Sequence, residues 1–95
     1  MHIQSHETSI IGNWIFEDHK FQKDSACYRI EWLMQNHLQK LSVSPKWGDW
    51  EILFKDPFDG RYWELVYLQG DLHGGGPPSL ICISEKTARE KYNLE

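Results

Sequence analysis

Three carboxylates, a guanidinium and three aromatic rings crowd into one short stretch, Asp56-Pro57-Phe58-Asp59-Gly60-Arg61-Tyr62-Trp63-Glu64-Leu65, and a glycine–proline run, His73-Gly74-Gly75-Gly76-Pro77-Pro78, follows it. Three kinds of chemistry use such residues. Asp56, Asp59 and Glu64 could serve as a general acid and base, a task that needs two carboxylates with separated pKa values in a sheltered cleft. Arg61 could clamp a carboxylate or phosphate with its planar fork. The triple glycine could cradle a phosphate through its backbone N–H groups.

Each of these has a plainer competitor. A loop joining two strands is exposed, so nothing in the sequence desolvates either carboxylate, and Asp59-Gly60 is what a left-handed turn position asks for. Arg61 lies within reach of Asp56 or Asp59 and is expected to hold the loop through one of them. Phosphate cradles open a helix and carry a following Lys; here two prolines, which lack backbone donors, lead into an apolar run. Stiff backbone presentation is the better account of Gly74, Gly75, Gly76, Pro77 and Pro78. The histidines (His2, His6, His19, His37, His73) and the cysteines (Cys27, Cys82) match no zinc spacing. Cys27 falls on the apolar face of a helix, as a buried thiol does, and no nucleophile turn of the Gly-x-Ser-x-Gly kind occurs. The sequence therefore assigns no catalytic residue, metal site or cofactor. What remains is a binding surface, in which Asp56, Asp59, Glu64 and Asp71 supply negative potential, Arg61, Tyr62 and His73 supply directional contacts, and Gly60 shapes the turn.

The bulk properties fit that reading. With 95 residues the chain has room for a single domain, 1–95. Five Trp, four Tyr and four Phe supply large core pieces and exceed what so small a core needs, so some rings are expected at an interaction surface. Between Asp49 and Asp71 six acids stand against two bases, which accounts for the whole net charge of −4. Such a focus repels phosphate backbones and attracts a basic partner, which argues against nucleic acid as a ligand. No apolar run is long enough to span a membrane, and the polar start is no secretory signal, so a reducing, cytoplasmic setting is expected.

The elements that must position these residues follow from periodicity. Residues 1–8 read as a polar, loose terminus. Ile10 to Phe16 reads as one short strand. Ala26, Cys27, Ile30, Leu33, Met34, His37, Leu38 and Leu41 recur at three- and four-residue spacing, which predicts a helix capped by Asp24 or Ser25, with Lys40 at its far end and a stop at Ser42 to Pro45. Trp50 to Phe54 and Tyr62 to Leu68 alternate as two strands of a hairpin, with Glu64 on the wet face. Leu80 to Ile83 is a buried strand, and Ser84 caps a final helix to about Asn93. The architecture expected is α+β: an antiparallel sheet of three or four strands with one long helix across a face and a short C-terminal helix.

The set Ile11-Gly12-x-Trp14, Cys27-x-Arg29-Ile30, Trp50 with Leu53, Asp56-Pro57-x-Asp59-Gly60-Arg61-Tyr62-Trp63-Glu64-Leu65, Gly74-Gly75-Gly76-Pro77-Pro78-x-Leu80, Ile83-Ser84 and Lys91-Tyr92 resembles a small immunity-protein family of bacterial polymorphic toxin systems, the type numbered twenty-seven. The resemblance covers about residues 10–93, and its two loop motifs together are distinctive. It implies a non-enzymatic antidote that binds the catalytic domain of a cognate toxin inside the producing cell. A basic nuclease is the toxin that the acidic segment would suit. Two rivals stand beside it: a small hydrolase or transferase using Asp56, Asp59, Arg61 and His73, and a structural or carbohydrate-binding module presenting several Trp.

Overall fold

In the computed structural model, which describes residues 2–68 and 76–94, alternating and helical patterns resolve into an α+β fold. The elements run β1 (Ser9–Ile11), β2 (Trp14–Glu17), β3 (Lys20–Lys23), α1 (Ser25–Asn36), β4 (Gln39–Ser44), β5 (Gly48–Lys55), β6 (Tyr62–Val66), β7 (Ser79–Ile83) and α2 (Glu85–Tyr92). Five strands form an antiparallel sheet in the order β1-β7-β6-β5-β4, and β2 pairs with β3 in a separate two-stranded ribbon.

Successive strand residues point to opposite faces, and here both faces are covered. On one, Phe54, Trp63, Leu65 and Leu80 pack with Ile10, with Ile30 and Leu33 of α1, and with Leu38. On the other, Leu53 packs with Ala88 and Tyr92 of α2. Both helices start on the caps expected of them: Asp24 accepts from the Cys27 N–H at 2.9 Å, and Ser84 from the Thr87 N–H at 3.1 Å. Among the described residues no helix is long and apolar enough to cross a membrane.

Two expectations about elements fail for local reasons. The long helix ends at Asn36, not near Leu41, because residues 39–44 pair with β5 instead. His37 leaves helical geometry, the Leu38 N–H closes onto Leu33 O at 2.7 Å, and Leu38 still reaches the core. Lys40 therefore sits in β4, and a register jump between Lys40 and Ser42 leaves Leu41 exposed. This added edge strand raises the sheet beyond the expected three or four.

The second failure is the single strand from Ile10 to Phe16, which divides at Gly12-Asn13. The Gly12 N–H donates to Pro78 O at 3.0 Å, and a Cβ there would stand 2.3 Å from that oxygen and 2.8 Å from Cys27 Sγ. The chain then leaves the main sheet and doubles back through Asp18 and His19, both at positive φ, into a ribbon the sequence reading missed. Residues 2–8, read from sequence as a loose terminus, are engaged by Arg29 and Arg61. Burial pushes the Cys27 thiol above its ordinary pKa, and Cys27 and Cys82 are both unbridged.

Candidate functional site

The β5–β6 connection holds Asp56, Asp59, Gly60 and Arg61 of the residues singled out from sequence, but it points their side chains in different directions. Its closure is a backbone matter: the Asp56 N–H donates to Arg61 O at 2.9 Å and the Gly60 N–H to Asp56 O at 2.8 Å. Gly60 takes φ +76°, the left-handed position expected of Asp59-Gly60.

Asp56 faces inward and is 1% exposed. Its Oδ1 accepts from the Phe58 N–H at 2.8 Å and lies 2.9 Å from His37 Nε2, where the imidazole N–H donates to the carboxylate. His37, at the C-terminus of α1, is itself enclosed by the rings of Phe58 and His2, at 4.7 Å and 4.9 Å between centroids. Asp56 thus ties the helix end to the hairpin. It cannot touch a partner without the loop coming apart.

Asp59 and Arg61 form the pair that sequence reasoning expected. Arg61 Nε donates to Asp59 Oδ2 at 2.7 Å and the Arg61 N–H to Oδ1 at 3.0 Å. Burial opposes ionisation of Asp59, but these bonds outweigh it and hold its pKa below the usual carboxylate value. The rest of the guanidinium donates to Glu7 O at 2.6 Å and Gln4 O at 3.1 Å, and it lies 5.1 Å over the buried Trp63 ring. A second fork, that of Arg29, holds the Glu7 carboxylate at 2.8 Å and 2.7 Å.

Glu64 departs from the expected wet face. It is 7% exposed on the α2 side of the sheet, where it accepts from Tyr92 OH at 2.7 Å and from Lys91 Nζ at 2.6 Å. Lys91 also reaches Glu51 at 2.9 Å. Burial works against the Lys91 ammonium, but the two carboxylates prevail and raise its pKa; burial and the bond to Glu64 push the Tyr92 phenol up as well. The correction has a physical reason: with a helix on each face, alternation in β6 marks two cores and not a core and solvent.

Tyr62 is half-buried, with Lys55 Nζ 5.6 Å over its ring. Gly76 takes φ +76°, Pro77 is buried and Pro78 supplies the carbonyl that meets Gly12. Asp71, His73, Gly74 and Gly75 lie outside the described residues. Among the described residues no group of three His, Cys, Asp or Glu side chains is placed to hold a metal ion.

Phe58 in this connection is itself 76% exposed, and further large apolar side chains are exposed elsewhere. At the opposite end of β5 and β6 from the Asp56–Arg61 connection, Trp47, Trp50 and Leu68 are 56%, 57% and 61% exposed. Trp50 meets Tyr67 edge to face at 5.2 Å. With Glu51 and Val66 they line a surface depression of about 490 Å³. On the separate ribbon, Phe16 and Phe21 pair across the strands, both exposed.

The sequence pattern of the family described as Immunity protein 27 matches residues 16–84. The chain belongs to that family. No curated protein and no solved structure matches it. Membership carries a role in immunity to a toxin, and immunity families are generally not enzymatic. Within this immunity protein several of the family-like residues make contacts inside the fold: Gly12 with Pro78, Asp56 with His37, and Glu64 with Tyr92. Sequence reasoning placed His37 on the apolar spacing of the long helix but had no signal for its partner, 19 positions away. The Glu51–Lys91 contact, 40 positions apart, left no local trace either.

Proposed function

We propose that this immunity protein neutralises a cognate polymorphic toxin by binding the toxin's catalytic domain directly and covering its working surface, inside the cell that makes both. The observation that carries the reading is the family match across residues 16–84. It is supported by exposed aromatic side chains at Trp47 and Trp50, beyond what the core uses. The partner contacts proposed from sequence are narrowed by burial. Asp59, Arg61 and Tyr62 are the proposed contacts at the β5–β6 connection, and Asp71 and His73, outside the described residues, are proposed contacts on sequence grounds alone. Asp56 and Glu64 contribute charge from beneath the surface. A net charge of −4 favours a basic toxin, such as a nuclease whose phosphate path the antidote would occupy, and would speed their encounter.

The test is co-expression of this chain with the C-terminal domain of the toxin encoded beside it. Growth arrest by the toxin should be lifted by this chain and not by an unrelated immunity protein. Persistent arrest while the folded chain accumulates would refute the reading.

A further inference from the structure

We propose that the outer edge of β2, in the two-stranded ribbon, is where an extended segment of the toxin with alternating apolar and basic residues adds as a third strand. The proposal rests on toxin neutralisation only for the identity of the partner; the mode of recognition is read from the ribbon's own geometry.

The backbone phase of the ribbon fixes which groups are on offer. Asp18 and His19 are both at positive φ, 52° and 64°, so a two-residue turn joins the strands and its flanking pair, Glu17 and Lys20, exchanges hydrogen bonds. Exchange recurs at every second pair: at Ile15 with Gln22, and again where the Asp24 N–H donates to Asn13 O at 3.1 Å. The pairs between, Trp14 with Lys23 and Phe16 with Phe21, are not bonded to each other. The main-chain N–H and C=O groups of Trp14 and Phe16 therefore point away from β3. Among the described residues no strand pairs with that edge. A row of such groups is the template on which another extended backbone pairs.

The two edges of the ribbon differ. Lys20 and Lys23 lie on β3, and Lys23 is drawn onto α1 by Glu31 and by the Tyr28 ring. Lysine is what sheet edges carry to turn away a further strand; β2 carries no base. A ribbon of two strands is marginal by itself, and a third stabilises it. The side chains indicate what that third strand carries. Trp14, Phe16 and Phe21 share one face, where the Phe16 and Phe21 rings are 61% and 69% exposed and would pack apolar side chains of the newcomer. Ile15 and Glu17 share the other face; Glu17 and Asp18 against Lys20 leave the tip with a net charge of −1, which suits a basic residue there. A second copy of this chain is the rival occupant, and a net charge of −4 on each molecule opposes it.

The experiment measures amide hydrogen exchange by NMR in the free chain and in its complex with the toxin domain encoded beside it. In the free chain the Trp14 and Phe16 amides should exchange faster than those of Ile15 and Glu17, which donate across the ladder. In the complex the Trp14 and Phe16 amides should slow at least about tenfold. In a second arm, Phe16→Pro removes one outward donor and keeps the ladder bonds of Ile15 and Glu17, whereas Phe16→Ala removes the ring alone. The proline variant should bind the toxin domain at least about tenfold more weakly than the alanine variant. Bound toxin with both amides unslowed, or equal affinity of the two variants, overturns the edge and leaves neutralisation standing. Protection of these amides in a toxin-free dimer, seen by sedimentation, assigns the edge to a second copy and overturns the proposal too. Failure of wild type to bind the toxin domain at all refutes neutralisation by binding, and the proposal with it.

Discussion

Asp56 decides whether the acidic hairpin is a reactive site or a structural tie, and Asp56→Ala measures it. The substitution removes two hydrogen bonds to one carboxylate oxygen, from the Phe58 N–H at 2.8 Å and from His37 Nε2 at 2.9 Å. Hydrogen bonds to a charged acceptor are worth about 1.5–3 kcal/mol each, and both donors are left without it in a site where the His37 side chain is 5% exposed. The expected loss is about 3–4 kcal/mol, a large part of the roughly 5–15 kcal/mol a domain has. For this chain length that lowers Tm by roughly 12–30 °C. Urea unfolding followed by circular dichroism gives the number. Asp56→Asn keeps an acceptor for Phe58 and should lose about half as much. A double-mutant cycle with His37→Ala should show a coupling above about 1 kcal/mol. A loss below about 1 kcal/mol in Asp56→Ala would refute the reasoning, because the carboxylate would then be free to act elsewhere.

Three further outcomes follow from the same geometry. Gly12→Ala should destabilise by about 2–3 kcal/mol in urea, since the new methyl would sit 2.3 Å from a backbone oxygen that cannot swing away; a loss under about 0.5 kcal/mol would contradict the close approach. The Arg29 fork, with the Gln4 N–H, holds the Glu7 carboxyl at about 2 instead of the usual 4.5. The folded-state value is the lower, so this contribution is full above about pH 4.5 and is lost as pH falls towards 2. That gap sets a ceiling of roughly 3.4 kcal/mol, which screening at a partly exposed pair reduces to about 1–2 kcal/mol. Glu7→Gln should therefore flatten the stability profile between those limits, and a profile parallel to wild type would contradict the pairing. Tyr92→Phe should cost about 1–2 kcal/mol in urea through the unanswered Glu64 acceptor; an unchanged midpoint would count against that bond.

The sequence made local features legible and distant ones not. Helix α1 announced itself by spacing and by Asp24, and β6 by alternation that brings Trp63 and Leu65 inward. The helix end was overrun because Leu38 and Leu41 continue the helical spacing although the backbone has already turned into β4. Nothing local distinguishes those two outcomes: the ladder with β5 decides, and its partner lies beyond the turn. Glu64 was misread for a related reason. A carboxylate between apolar neighbours signals solvent only when one face is open, and α2, 21 or more residues later, closes that face. Asp59 with Arg61 was readable because the pair is two residues apart, and Asp56 with His37 was not.

The most direct test of the central claim is calorimetric titration of the adjacent toxin's catalytic domain with this purified chain, with toxin activity measured on the same samples. The account predicts a 1:1 complex and residual activity that falls in proportion to occupancy, reaching its floor at one equivalent. Full inactivation by a small fraction of an equivalent, or inactivation without a complex, would mean that the chain acts by turnover and not by covering a surface.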